Sequence, residues 1–106
     1  MKTLLNTDFL VEKLKILNPE KIFLFGSAAK GNMGPDSDID VLIIKKTKKK
    51  PADRVKEVLD LVWGHVPQIE PQILTPDEYQ KAIADNRFFI IREVLHFGKL
   101  IYEKKS

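Results

Sequence analysis

Two aspartates alternate with apolar residues in the segment DIDVLII, residues 38–44. Because side chains alternate along a strand, Asp38 and Asp40 leave the same face with Cα atoms roughly 6.6 Å apart. Aspartate is disfavoured in strands, so the pair needs a reason beyond secondary structure. Two carboxylates at this separation suit a hard cation such as Mg²⁺, which takes oxygen ligands and keeps water or phosphate oxygens in its shell. The segment therefore predicts a metal-binding face, with Ile39 and Val41 pointing the other way into the core.

A third carboxylate lies in the segment QIEPQIL, residues 68–74. Its polar residues alternate with apolar ones, which places Glu70 on the polar face of a strand. If this strand neighbours the aspartate strand, three carboxylates converge, enough to hold two metal ions and to deprotonate a hydroxyl. The alternative is an ordinary glutamate that faces solvent.

A Gly-Ser pair ends the apolar run KIFLFGS. Gly26 allows a tight turn and a close approach of the backbone to a ligand, and Ser27 can cap a short helix that begins in AAKG. Free N–H groups at a helix start, the serine hydroxyl and the charge of Lys30 together suit a phosphate. A Gly-Ser pair by itself is usually a turn, but Asp-Ile-Asp in the next strand makes the combination far more specific.

Competing motifs fail at named positions. A P-loop that starts at the same glycine would need Lys followed by Ser or Thr where Asn32 and Met33 stand. A calcium loop that starts at Asp36 would need glycine at Val41 and glutamate at Thr47. The absence of cysteine excludes a disulfide framework, a thiolate zinc site and a thiol nucleophile.

The elements that must position these residues follow from the hydrophobic pattern. We expect strands at Lys21–Phe25, 38–44, 68–74 and about Leu100–Tyr102, and helices at 8–17, from Pro51, from Thr75 to about Ala84, and from Phe88 to about Phe97. Thr75, Pro76 and Glu78 have the pattern of a capping box, and Pro71 favours an edge position or a bulge. The order predicts an α/β (α+β) fold, a small mixed β-sheet flanked by helices.

Two apolar sets within these helices need a place. The helix from Pro51 has a stripe that we expect to be core, formed by Val55, Val58, Leu59, Val62 and Trp63. The last helix has more apolar residues than one face can bury. Some of them are expected to contact a partner subunit, and a second copy of the chain would explain them as well.

Composition sets the outer limits. The chain has 106 residues, so we expect one domain over residues 1–106, with a core but no separate substrate domain. We expect neither a signal peptide nor a membrane span, and expect a cytoplasmic protein, as the lack of cysteine allows. The net charge of +3 includes the lysine run Lys45–Lys50, which is either a solvated loop or an attractor of phosphate-rich ligands or RNA.

The pattern FGSAAKG followed by DSDIDVLI resembles the signature of the DNA polymerase β-like nucleotidyltransferase superfamily. The short chain is similar to the minimal nucleotidyltransferases, the MNT proteins, whose fold resembles the polymerase β palm. The resemblance implies that Asp38 and Asp40 bind two Mg²⁺ ions, that Glu70 is the third catalytic carboxylate, and that Gly26 and Ser27 hold the β and γ phosphates of ATP or another nucleoside triphosphate.

The implied reaction is attack of an acceptor hydroxyl on the α-phosphate, with pyrophosphate as the leaving group. A HEPN-domain protein is the implied partner, in a toxin–antitoxin pair of which this chain would be the antitoxin; a nucleic acid is not required. Many relatives have arginine where Ala28 stands, which implies weak triphosphate binding or a charge supplied by a partner. The alternative is a non-catalytic module that binds nucleotide or neutralises its partner by contact, and a free-standing transferase for a small molecule is third.

Overall fold

The computed structural model describes residues 7–26, 29, 38–64, 68–87 and 89–105. The strands are β1 (Lys21–Phe25), β2 (Ile39–Ile44), β3 (Ile69–Leu74) and β4 (Lys99–Glu103). The helices are α1 (Thr7–Leu14, continued by a 3₁₀ turn at Lys15–Leu17), α2 (Pro51–Val62), α3 (Pro76–Ala84) and α4 (Phe89–His96), the last wound as a π-helix. The predicted order of elements is confirmed.

The strands form one mixed sheet in the order β3-β2-β1-β4. β1 is antiparallel to both β2 and β4, whereas β2 and β3 are parallel and are joined through α2. A parallel pair needs such a crossover, because its second strand must start at the same end as the first. β3 is an edge strand, so Pro71 lies where the expectation placed it.

Helices cover both faces of the sheet. On one face, Ile22, Leu24, Val41 and Ile43 pack against residues of α1 and α2. On the other, Phe23, Phe25, Leu42 and Ile44 pack against residues of α3 and α4. Because side chains alternate, Asp40 shares its face with Leu42 and Ile44. The prediction that Ile39 and Val41 point into the core on the opposite face is confirmed, since both are buried there. On the face of Asp40, polar residues occupy one end and apolar core occupies the rest.

The predicted core stripe of α2 is wrong at two positions. Val58 and Val62 are buried, but Leu59 is 39% exposed and Trp63 is 83% exposed. The helix ends at Val62, and Trp63 has extended backbone angles, φ −52° and ψ 129°. Helical spacing therefore no longer directs the Trp63 side chain toward the sheet.

A buried arginine of α2 joins this helix to β3 and α3. Arg54, 8% exposed, donates hydrogen bonds to the carbonyls of Lys49 and Ile73, and its Nη1 lies 2.7 Å from Glu78 Oε1. Glu78 also closes the predicted capping box with Thr75, which is confirmed. The Arg54 hydrogen bond, with help from the Thr75 backbone, holds the pKa of Glu78 below its usual value. The start of α2, the end of β3 and the start of α3 are thus fixed to one another.

The last helix buries one side and exposes the other. Ile90 and Val94 are buried, whereas Leu95 is 42% and Phe97 38% exposed. The predicted first residue, Phe88, lies outside the described residues. A contact between this surface and a partner stays a prediction. Within the described part of the chain, no helix is both long and apolar enough to cross a membrane.

Candidate active site

The pairing of β2 with β3 sets Asp40 directly beside Glu70. The register begins where the Ile39 amide donates to the Gln68 carbonyl, 2.8 Å away. Gln68 has a left-handed backbone, φ 57°, so the chain turns sharply just before it joins the sheet. Because paired residues in parallel strands point to the same side, the two carboxylates share one face at one end of the sheet.

Three carboxyl groups meet at this point. The Glu70 carboxyl lies within hydrogen-bonding reach of both Asp38 and Asp40. Glu70 and Asp38 are exposed, and Asp40 is half-buried. The structure therefore brings together the three acidic residues that the sequence singled out.

The electrostatics of this cluster oppose full ionisation. Burial is the main cause that raises the pKa of Asp40; the hydrogen bond with Glu70 lowers it in part, and the charge of Asp38 adds a smaller increase. For Glu70, the hydrogen bond and the charge of Asp38 raise the pKa first, and Asp40 adds to this. Like charges this close are costly unless a proton or a cation lies among them. A proton shared between the carboxyl groups, or a cation bound among them, would therefore stabilise the cluster.

Gly26 forms the adjoining wall of the site. It follows β1, whose last residue Phe25 pairs with Asp40. Its backbone is left-handed, φ +68°, and a Cβ there would overlap Asp40 Oδ2 and lie 3.2 Å from Asp40 Cγ. Glycine is needed on both counts. The glycine type predicted a close approach of the backbone to a ligand, whereas the structure shows a close approach to Asp40, which depends on the β1–β2 register.

The remaining predicted phosphate ligands, Ser27 and Lys30, lie outside the described residues, as does Ala28. Their expected roles stay predictions. Gly26 is described, and its position next to Asp40 is compatible with a phosphate site beside the carboxylates.

The donor chemistry fits a hard divalent cation. Carboxylate oxygens are the ligands that Mg²⁺ prefers, and the hydrogen bond and the charge of Asp38 raise the pKa of Glu70, a repulsion that a cation would relieve. The carboxyl groups face one another, however, and among the described residues no group of three or more His, Asp or Glu side chains has the arrangement of a formed metal site. Asp38, Asp40 and Glu70 would have to turn to share a cation.

Comparisons with known proteins identify the family of the chain. The sequence profile described as "Nucleotidyltransferase domain" matches residues 8–97. This range includes Gly26 and the three acidic residues of the site, Asp38, Asp40 and Glu70. No curated protein matches the chain significantly.

Solved structures share the fold. A Sulfolobus solfataricus protein, provisionally described as a nucleotidyltransferase, superposes with a TM-score of 0.59 at 21% identity, over 92% of this chain and 77% of that one. A chain from a toxin–antitoxin structure with AMP-PNP superposes with a TM-score of 0.58 at 16% identity, over 95% of this chain and 76% of that one. With the profile match over most of its length, this chain belongs to the nucleotidyltransferase domain family.

Proposed function

We propose that this chain is a Mg²⁺-dependent nucleotidyltransferase that moves AMP from ATP to a hydroxyl of a partner protein. The partner is a HEPN-domain toxin, this chain is its antitoxin, and the pair acts in the cytoplasm. The observation that carries the proposal is the direct pairing of Asp40 with Glu70 beside Gly26. The toxin–antitoxin structure with AMP-PNP, which has this fold, supports both the nucleotide and the class of partner.

The proposed roles follow from position. Asp38 and Asp40 would hold the divalent cations, with Glu70 as the third ligand. Bound Mg²⁺ would supply positive charge to the attacking and leaving oxygens. Gly26 leaves room for the Asp40 carboxylate, and Ser27 and Lys30 would hold the outer phosphates of the triphosphate.

Glu70 is also the proposed base. Glu70 is exposed enough to reach an acceptor, and a carboxylate in that position can take up the proton of a hydroxyl. The acceptor hydroxyl would lose its proton to Glu70 as its oxygen bonds to the α-phosphorus. The bond from that phosphorus to the bridging oxygen of the β-phosphate breaks, and pyrophosphate leaves.

The test is transfer of label from ATP to a co-expressed HEPN-domain partner in the presence of Mg²⁺. Label in the α-phosphate should appear on the partner, and label in the γ-phosphate should not, because the γ-phosphate leaves with pyrophosphate. Asp40→Asn should lower transfer by about 100-fold or more. Asp85→Asn, the same change at an exposed residue after α3, is the matched control.

Growth rescue separates this function from neutralisation by contact. That alternative is favoured by one observation, that the described carboxyl groups do not form a ready metal site. If Asp40→Asn still protects cells from the toxin as well as the wild type does, catalysis is not how this chain acts. If protection and label transfer are lost together while the variant stays folded, the enzyme is supported.

A further inference from the structure

A cleft lies at the other end of the sheet from the carboxylates. It is a cleft of about 550 Å³ whose charged lining residues are four lysines and two glutamates. We call it the basic cleft, and define it by Lys21, Lys45, Lys46, Lys104, Glu20 and Glu103. Its volume is within the range of small-ligand sites. Nothing in the proposed transfer reaction uses it.

The walls of the basic cleft are held by backbone hydrogen bonds. The Glu20 amide donates to the Ile44 carbonyl at 2.7 Å, and the Lys104 amide donates to the Glu20 carbonyl at 2.8 Å. The Lys45 amide donates to the Leu74 carbonyl at 3.0 Å. The ends of three strands are therefore fixed around the cleft, and the lysines stand on an ordered frame.

The lysine run Lys45–Lys50 passes the cleft, and some of its lysines form ion pairs while others are exposed. Lys45 and Lys49 both bind Glu57 of α2, at 3.2 and 2.7 Å. These two ion pairs fold the loop back onto the helix. Lys46 and Lys48 are exposed instead. Two of the five lysines of the run thus anchor it to α2, and Lys46 is an exposed cation that lines the cleft.

The glutamates of the cleft remove only part of its positive charge. Glu103 lies 3.6 Å from Lys21, which leaves Glu20 against Lys45, Lys46 and Lys104. Lys45 already binds Glu57, and Lys104 donates to the Asn18 side chain, an uncharged partner, at 3.0 Å. The neighbouring Lys105 is exposed as well. The cleft therefore carries a surplus of cations.

We propose that the basic cleft binds the phosphodiester backbone of a nucleic acid. Ammonium groups attract phosphate oxygens as point charges, and binding is driven by the release of counterions. Among the described residues, the cations that line the cleft are all lysine, with no arginine to form the bidentate contacts that identify guanine. Binding should therefore depend strongly on salt and little on sequence.

The two sites should be independent. Four residues of β2 separate Asp40 from Lys45, and the five residue steps span roughly 16 Å along the strand. A phosphodiester backbone held by the lysines of the cleft makes no use of the three carboxylates. Nucleic acid binding should therefore survive loss of the carboxylates.

Fluorescence anisotropy with a labelled uridine oligonucleotide of about 20 nucleotides tests the proposal across a KCl series. The variant Lys46→Gln/Lys104→Gln/Lys105→Gln removes two exposed cations of the cleft and the exposed Lys105 that follows them in sequence. Its matched control, Lys56→Gln/Lys81→Gln/Lys99→Gln, changes net charge equally at exposed positions elsewhere. Thermal melting of both variants checks that they stay folded.

We expect the cleft variant to bind at least about 10-fold more weakly, with a salt slope lower by about 2, since each single-strand phosphate contact contributes about 0.7. The control should lose less than about threefold. Equal losses in the two variants, or a wild type with no salt-dependent binding, would overturn the proposal.

Two further arms separate the possible sources of phosphate and the two proposals. A DNA oligonucleotide of the same length should compete, whereas ATP at equal phosphate concentration should not. Competition by ATP that the cleft variant abolishes would reassign the cleft to free polyphosphates. Asp40→Asn should bind RNA like the wild type. RNA binding with no label transfer would contradict the proposed reaction and leave the cleft proposal standing.

Discussion

Gly26 leaves no room for a side chain between its own Cα and the carboxylate of Asp40. The two residues belong to adjacent ends of β1 and β2, where Phe25 pairs with Asp40. A Cβ on Gly26 would overlap Oδ2, and the residue also has φ +68°. The end of β1 therefore sets the position of the acidic group on the neighbouring strand.

Gly26→Ala should lower label transfer by about 100-fold, because a displacement of roughly 1 Å at a catalytic group has an effect of this size. The left-handed backbone should also lower the free energy of unfolding by about 1–2 kcal/mol. Gly64→Ala is the matched control, since Gly64 has φ +77° and open space around its Cβ. It should share the loss of stability and keep its activity. Equal activity losses in the two variants would rule out the contact with Asp40 as the cause.

Asp40→Asn should stabilise the metal-free protein at neutral pH. The native pKa of Asp40 is raised above 3.8 by burial and by Asp38. A carboxyl group with a raised native pKa favours the folded state below its unfolded pKa, and this contribution is lost as the pH rises through the native value. The melting temperature in EDTA, measured for variant and wild type, should therefore diverge as the pH rises from about 4 to 7.

Melting in the presence of Mg²⁺ should give the opposite order of stability. Mg²⁺ should raise the melting temperature of the wild type at pH 7, because it would bind the native cluster alone, and should raise that of Asp40→Asn much less. Asp85→Asn should follow the wild type in both conditions. A stability difference that stays constant between pH 4 and 7 would mean that the Asp40 carboxyl group is not perturbed in the native state.

The strands of this fold could be predicted from sequence because local patterns determine them. β1 was predicted with its observed bounds, and β2 begins one residue after the predicted start. The alternation in QIEPQIL also identified the exposed face of β3 that holds Glu70. Local patterns do not determine which strands pair. The prediction that Glu70 lies near Asp40 therefore depended on the condition that β3 is adjacent to β2.

What the sequence could not supply was long-range. The residue type of Gly26 indicates a special backbone position, but its contact with Asp40 depends on the β1–β2 register. The helical pattern gives no sign that Arg54 is buried, because an arginine on a helix is usually exposed. Its partners lie far along the chain, at Ile73 and Glu78, and only the folded arrangement joins them.

Glu78→Gln should weaken the protein most at neutral pH. The native pKa of Glu78 is below 4.5, chiefly because Arg54 donates a hydrogen bond to it. This stabilisation is complete above the unfolded pKa and is lost as the pH falls through the native pKa. Since the Glu78 side chain is 43% exposed, we expect a loss of about 1 kcal/mol at pH 7 in urea unfolding.

Its control is Asp77→Asn, an exposed acid in the same helical turn. The difference in free energy of unfolding between Glu78→Gln and the wild type should disappear toward pH 3. Asp77→Asn should have nearly the same free energy of unfolding as the wild type at every pH. A difference that persists at low pH would assign the loss to the capping geometry rather than to the ion pair with Arg54.

Trp63→Ala should change stability by less than about 0.5 kcal/mol, as expected for a surface position. By contrast, Val62→Ala at the preceding position should lower the free energy of unfolding by about 2 kcal/mol, because Val62 is 1% exposed and its loss leaves a cavity in the core.

Trp63 is the only tryptophan, so its fluorescence reports on one position. The emission maximum of the native protein should resemble that of the urea-unfolded chain, since Trp63 is 83% exposed in the fold. A large blue shift in the native state, with a loss in Trp63→Ala as great as that in Val62→Ala, would return Trp63 to the core stripe that helical spacing predicted.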